Sequence, residues 1–224
     1  SMRGPFDPNL AAEDQPTWKL WEYDIPTRTL RRIIQSDITA EAGHDVSPHY
    51  LPDGRIIYAS TRQRQSKAIL LDEGKPQFDA QEEDRTEDAL VLQVIDSDGN
   101  NMHQVSFNQS HDYDPTVLDD GRVLFSRWDH AAGVNGIHLY TMNPDGTDLQ
   151  LFYGAQSHLT GTNGDEVQFV GAREMLNGNI MAIIREFDHP ELGGDITIID
   201  AATYIENTQP TVANPGMTDR KSVV

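Results

Sequence analysis

The stretch His44-Asp45-Val46-Ser47-Pro48-His49-Tyr50-Leu51-Pro52-Asp53-Gly54-Arg55-Ile56-Ile57-Tyr58-Ala59-Ser60-Thr61-Arg62 decides the fold, because the chain says it again. The second version is His111-Asp112-Tyr113-Asp114-Pro115-Thr116-Val117-Leu118-Asp119-Asp120-Gly121-Arg122-Val123-Leu124-Phe125-Ser126-Arg127. An internal repeat fixes architecture before any single residue is weighed. In both copies an Asp-Gly pair separates two short runs, and Asn177-Gly178 does the same further on. Asp-Gly and Asn-Gly favour type I′ hairpin turns, in which both central residues take positive φ. The runs that follow, 55–58, 122–125 and 179–184, are rich in Ile, Val and aromatic residues, as buried strands are.

A second turn follows a third strand. Val91 to Gly99 matches His138 to Gly146, and further strands are expected at Met102 to Ser106 and Leu149 to Tyr153. One unit therefore reads strand, turn, strand, loop, strand, turn, strand. That is a four-stranded antiparallel meander, the blade of a β-propeller. Asp53 to Asp120 spans 67 residues and Asp98 to Asp145 spans 47, so the earlier unit carries an insertion, read at 63–88. Without it the period of 47 is near the roughly 40–45 residues of a propeller blade. The third unit keeps step with about ten extra residues around Ser157 to Asp165. Trp18 to Asp24 and Thr29 to Ile34 read as the third and fourth strands of a half-blade, with Trp18 or Trp21 in the core between blades. Asp195 to Asp200 is again a third strand.

The fold class is thus all-β, a partial propeller of three to four blades. Residues 1–17 are an N-terminal extension, 18–205 the blades, and 206–224 a tail or the start of a further blade. A closed propeller takes at least four blades. Either the termini complete an unusual ring or the chain is a piece of a longer protein, and the second is the favoured expectation. Open blade edges would then invite self-association.

Lys and Arg number 17 against 36 Asp and Glu, for a net charge of −19. That disfavours nucleic acid and anionic membrane surfaces, which need clustered cations. It suits a solvated surface, cations or a basic partner. There is no cysteine, which excludes disulfides, thiolate metal sites and covalent haem attachment in this segment. No apolar run approaches the roughly 20 residues of a membrane span, so no membrane insertion is expected.

The pattern Pro, Leu-x-Asp-Gly-Arg, apolar run, Ser-x-Arg, then apolar strand and Asn-Pro-Asp-Gly-Thr resembles the WD40-like repeat of TolB-type propellers. It is carried by Pro48 to Arg62, Pro115 to Arg127 and Leu139 to Thr147. Phe125-Ser126-Arg127-Trp128-Asp129 with Leu139 to Thr147 looks like the propeller domain of hydrazine synthase alpha-subunit-like proteins. The resemblance implies a six- to eight-bladed bacterial propeller, periplasmic or secreted, that mostly binds other proteins. In the hydrazine-synthase-like relatives the propeller sits beside haem-bearing domains. The Cys-x-x-Cys-His that would attach haem is absent here.

Three constellations could carry chemistry. His44-Asp45 and His111-Asp112 both precede an Asp-Gly turn by nine residues, at the start of a first strand. First strands line a propeller's channel, so a ring of His and Asp there could bind a divalent metal. His158, one period after His111, is the third candidate ligand. The competing reading makes these residues caps on backbone groups or bonds to a neighbouring blade. The acidic run Asp79 to Asp88, with Asp72 and Glu73, could gather calcium or be a solvated loop. Trp128, Asp129 and His130 fall in what reads as a long loop through Gly136, where a partner or ligand would bind, unless Trp128 packs between blades. No hydrolase, metalloprotease or nucleotide motif is present. The leading expectation is a non-catalytic binding or scaffolding module with a protein partner. The alternative is the propeller of an enzyme complex, either a redox protein or a peptidase, with a His/Asp metal or ligand site.

Overall fold

The structure is a computed structural model that describes residues 1–11, 14–35, 43–76, 80–81, 88–131, 134–154, 167–186 and 193–200. The chain divides into two compact units, Ser1–Gln109 and Ser110–Val224. In the first, β1 (Trp21–Asp24) and β2 (Thr29–Arg32) form a two-stranded half-blade. A full blade follows from β3 (Asp45–Tyr50), β4 (Ile56–Ser60), β5 (Val91–Ile95) and β6 (His103–Gln104), paired in that order. The helix α1 (Arg64–Asp72) lies between β4 and β5, inside the segment read as an insertion.

In the second unit β7 (Asp112–Val117), β8 (Val123–Ala131), β9 (Val134–Met142) and β10 (Gln150–Tyr153) make the second blade. A three-stranded sheet follows from β11 (Val167–Glu174), β12 (Ile180–Glu186) and β13 (Asp195–Ile199). Every strand pair is antiparallel. The fold is all-β and built of β-propeller blades. Among the described residues no helix is long and apolar enough to cross a membrane. The expected fourth strand after β13, the tail 206–224 and the extra residues around Ser157 to Asp165 lie outside the described residues.

Composition explains the layering. β4 (IIYAS) and β5 (VLQVI) are buried at every position, which needs both sheet faces covered. Leu20, Ile33 and Ile34 of the half-blade pack with Ile56, Tyr58 and Ile95 of the first blade. Leu124, Leu139 and Tyr153 of the second blade pack with Ile180, Ile184 and Ile199 of the third. Leu20, rather than a tryptophan, fills the half-blade core. Trp21 is exposed, and Trp18 lies under the Arg3 guanidinium at 5.1 Å.

The hairpin turns differ from the type I′ expectation. Gly54 N–H donates to Leu51 O at 2.9 Å and Leu51 N–H to Arg55 O at 2.8 Å, which closes a three-residue loop. Of the Asp-Gly and Asn-Gly pairs at these tips, only the glycines have positive φ, between 82° and 89°. Each tip is therefore a type I turn closed by a left-handed glycine. The aspartate contributes its side chain. Asp53 Oδ1 accepts the Arg55 N–H at 3.0 Å, Asp120 the Arg122 N–H at 2.9 Å, Asp98 the Asn100 N–H at 2.9 Å and Asp145 the Thr147 N–H at 3.0 Å.

First strands share a second device. The ladders β3–β4, β7–β8 and β11–β12 each slip by one residue, at Val46/His49, Tyr113/Thr116 and Val170/Arg173. The residue at the slip takes positive φ in all three: Ser47 at 51°, Asp114 at 50° and Gly171 at 61°. Pro48 and Pro115 sit inside the bulge, where a residue with no N–H interrupts nothing.

Candidate functional site

The repeated His-Asp dipeptides sit at the start of β3 and of β7. In the first unit, His44 Nδ1 accepts the Trp18 N–H at 3.2 Å, and Trp18 O accepts the Asp45 N–H at 2.9 Å. His44 N–H donates to Thr61 Oγ1 at 2.9 Å. The histidine thus caps backbone groups and ties the half-blade to the first blade. Asp45 is fully buried; its Oδ1 accepts Ser60 Oγ–H at 2.8 Å and Arg62 Nε–H at 3.0 Å, and its Oδ2 accepts an Arg62 terminal N–H at 3.3 Å.

The second unit repeats the pairing in a tighter form. Asp112 is fully buried and takes a two-pronged bond from Arg127, Nε to Oδ1 at 2.7 Å and a terminal nitrogen to Oδ2 at 2.8 Å. The guanidinium lies 5.5 Å from the Phe125 ring and 5.2 Å from the Tyr140 ring. Burial works against the arginine's charge, but the bond to Asp112 and that residue's charge outweigh it, so Arg127 is held protonated even more firmly than usual. Asp129 Oδ2 accepts the Tyr140 hydroxyl at 2.8 Å and faces His138 Nδ1 at 2.8 Å. Burial, then the bond to Asp129, pushes the Tyr140 phenol up. Asp112, Arg127, Tyr140, Asp129 and His138 form one polar network under the blade surface.

Trp128, Asp129 and His130 do not form a loop. They lie on β8, paired with Ile137, Gly136 and Asn135 of β9. Period-two alternation puts Trp128 and His130 on one face and Asp129 on the other. The Trp128 ring stacks between two imidazoles, His111 at 5.7 Å and 1° and His130 at 5.0 Å and 6°. Its indole N–H donates to Asn135 Oδ1 at 2.7 Å. Trp128 is buried with Ile137 and Val170 and packs against Tyr113 and Ile183, so it also joins the second blade to the third. The tryptophan thus stacks with two histidines, one from the residue before β7 and one from β8, and stands on a paired strand.

His44 and Asp45 belong to one unit and His111 and Asp112 to the other. His158 lies outside the described residues, as do Asp79 and residues 82–87 of the acidic run. Among the described residues no three His, Cys, Asp or Glu side chains gather closely enough to hold a metal ion. At the base of the insertion stands a residue the sequence reading passed over. Buried Gln63 donates to Ala80 O at 2.8 Å and Ala89 O at 2.9 Å, and its Oε1 accepts the Ala80 N–H at 2.8 Å. The partners Arg62 and Arg127 were visible as the Ser-x-Arg and Ser-Arg ends of each repeat, but their link to Asp45 and Asp112 lies in the register of the paired strands. His138 and Tyr140 carried no such signal.

A notch of about 70 Å³ in the first unit has Leu20, Ile33 and Ile56 within and Trp21, His49 and Tyr50 at its rim. Its polar groups are engaged with one another. The Tyr50 hydroxyl donates to Glu22, which also accepts Arg31 Nε–H at 2.6 Å. The tyrosine bond, then Arg31, holds the Glu22 carboxyl below its ordinary range.

Blades of this form place the chain among β-propeller proteins. No known family's sequence profile matches it, and no curated protein does. Among solved structures it is similar to hydrazine synthase of Kuenenia stuttgartiensis, at 16% identity and a TM-score of 0.57, over 82% of this chain and 28% of that one. It also matches a putative gluconolactonase at 13% identity and TM-score 0.45, over 79% of this chain and 53% of that one. An oligogalacturonate lyase of Vibrio parahaemolyticus matches at 12% and 0.47, over 81% and 44%. The chain therefore spans about a quarter to a half of the length of these proteins.

Proposed function

We propose that this chain is a non-catalytic, TolB-like propeller segment of a larger exported bacterial protein, and that it works by binding a protein partner. One observation carries the reading. The residues whose recurrence best nominated a metal site, Asp45 and Asp112, are wholly buried and bonded to Arg62 and Arg127. A carboxylate with a buried guanidinium on both oxygens neutralises that cation and is committed to holding two strands together. What the blades then offer to another molecule is surface. The TolB-like pattern of the repeat supports the same reading, and the likeness to hydrazine synthase at 16% identity bears on fold alone.

Thermal melts of the wild type, Asp45→Asn and Asp112→Asn, with and without Mn, Zn or Ca ions, test it. Both variants are expected to melt several degrees lower, and no ion is expected to move the wild-type transition by more than about 1 °C. An ion-specific rise lost in Asp112→Asn would overturn the reading. It would favour instead a His/Asp metal site in the propeller of an enzyme complex.

A further inference from the structure

The chain builds the same hairpin tip five times, and one copy differs by a single group. Four tips hold Asp-Gly, as Asp53-Gly54, Asp98-Gly99, Asp120-Gly121 and Asp145-Gly146, and the fifth, between β11 and β12, holds Asn177-Gly178. All five glycines are left-handed, and in all five the Oδ1 of the preceding residue accepts the N–H two residues on. Asn177 accepts it from Asn179 at 3.1 Å. Aspartate is thus the residue this geometry holds at four sites, and asparagine is the exception. Asn-Gly is also the dipeptide most open to attack of the backbone on its own side chain, because glycine has no β-carbon to shield its nitrogen.

The fifth tip presents what that attack needs. Leu176, Asn177 and Gly178 are all exposed, and a β-carbon added to Gly178 would meet nothing within 4 Å. The exposure belongs to the blade's edge, not to its flat face: Asp119 and Asp120 at the equivalent tip of the second blade are exposed although the third blade follows. The bond from Asn179 N–H to Oδ1 folds the carboxamide back over the Gly178 peptide, and a donor on that oxygen stabilises the negative charge it gains when Cγ is attacked. The Gly178 N–H opposes the step, since it is bonded to Met175 O at 2.9 Å and must first be released. That bond lies at the exposed end of a hairpin, where local opening costs least. The chain also holds an internal control. Asn135-Gly136 lies in β9 opposite His130 and Asp129 of β8, Gly136 is buried, and Asn135 Oδ1 accepts the Trp128 indole N–H at 2.7 Å. There the carboxamide is committed to the indole and the backbone to the ladder. A third Asn-Gly, Asn163-Gly164, lies outside the described residues.

We propose that Asn177 is a site of spontaneous deamidation, and that the tip accepts the aspartate this yields. The Gly178 nitrogen, its proton taken by hydroxide, bonds to Asn177 Cγ, and the side-chain nitrogen leaves as ammonia with a proton from water. Water then adds at Cγ and breaks that carbon's new bond to the Gly178 nitrogen, which recovers its proton. In sum a carboxamide and water become a carboxylate and ammonium, with nothing oxidised or reduced. The net charge moves one unit beyond −19, and the Asn179 N–H gains an ionised acceptor, the stronger kind. Opening at the backbone carbonyl instead would lengthen the main chain by one atom, which a three-residue loop does not fit. The reaction needs no partner, so it stands apart from the binding reading.

Peptide mapping by mass spectrometry, on the folded chain held at mildly alkaline pH, tests the proposal. The peptide holding Asn177 should gain the mass of amide-to-acid conversion about tenfold or more faster than the peptide holding Asn135, and the gap should close in urea, where the ladder no longer protects. Asn177→Asp should melt within a degree or so of the wild type, since the exposed tip already has the geometry for a carboxylate. In that variant the Asn179 amide resonance should titrate with the carboxyl that it bonds. Equal rates for the two asparagines in the folded chain overturn the proposal, as does an Asn177 that converts only in urea. A melt of Asn177→Asp several degrees below the wild type, or an Asn179 amide that does not titrate in it, overturns the claim that the tip accepts the product.

Discussion

The second and third blades have the same backbone and opposite chemistry at the same place. Both first strands bulge one residue on from a central pair, with a left-handed residue at the slip. In the second blade that pair is Asp112 facing Arg127, and in the third it is Phe169 facing Ile184. The first blade stands between them, with Asp45 facing Ser60 and taking Arg62 from farther along. The repeat therefore conserves geometry, and the content of the pair is free so long as the two sides match. A buried ion pair is one solution and two apolar side chains are another, of comparable net worth.

The sharpest way to break that comparison is to leave half of a solution in place. Arg127→Ala strands Asp112 as a buried charge and is expected to cost about 3–5 kcal/mol, a fall in melting temperature of roughly 10 °C. Transplanting the third-blade pair, Asp112→Phe with Arg127→Ile, should recover most of that loss in the same melt; a double variant as unstable as the single would refute the equivalence of the two solutions. Arg62→Ala should cost less, about 2–3 kcal/mol by chemical denaturation, because Asp45 keeps the Ser60 hydroxyl. At the bulge, Gly171→Ala has room, with Ile183 Cδ1 at 3.8 Å from the added carbon, so its cost should be the left-handed backbone alone, about 1–2 kcal/mol.

The smallest effect concerns the turns. The Arg55 N–H holds the Asp53 carboxyl below its ordinary value of 3.8, and the Asn100 N–H does the same for Asp98. A carboxyl depressed in the folded state stabilises above its unfolded value and loses that contribution as pH falls through the folded one. The amide resonances of Arg55 and Asn100 should therefore shift with a midpoint below 3.8. The Asn179 amide, bonded to the Asn177 side chain at 3.1 Å, should not titrate with them.

These contrasts also mark what could be read from residues alone. The blade order and the strand pairs were legible because Asp-Gly tips and apolar runs recur in step. The turn type was not, because Asp-Gly suits two hairpin geometries, and the choice lay in the bond from Asp53 to the Arg55 N–H. Arg127 to Gly136 read as a loop because charged residues and glycine interrupt the apolar pattern. Yet β8 and β9 pair from Arg127 opposite His138 to Ala131 opposite Val134, with Trp128 opposite Ile137 and Asp129 opposite Gly136. Asp45 and Asp112 were noticed for their recurrence, but their partners lay on the next strand. Only the register showed that a carboxylate and an arginine 15 or 17 residues apart meet.

Arg62 and Arg127 do not occupy equivalent positions. Arg127 stands where the first blade has Ser60, and Arg62 stands where the second has Asp129, yet both guanidiniums reach the corresponding aspartate. Positions two apart on a strand share a face. An arginine can thus arise at the second position before it is lost from the first, and the aspartate is never stranded in between. A duplicated array built this way has a neutral route along which its copies drift apart in sequence, and it offers anyone assembling propellers from repeated units two interchangeable places to anchor each first strand.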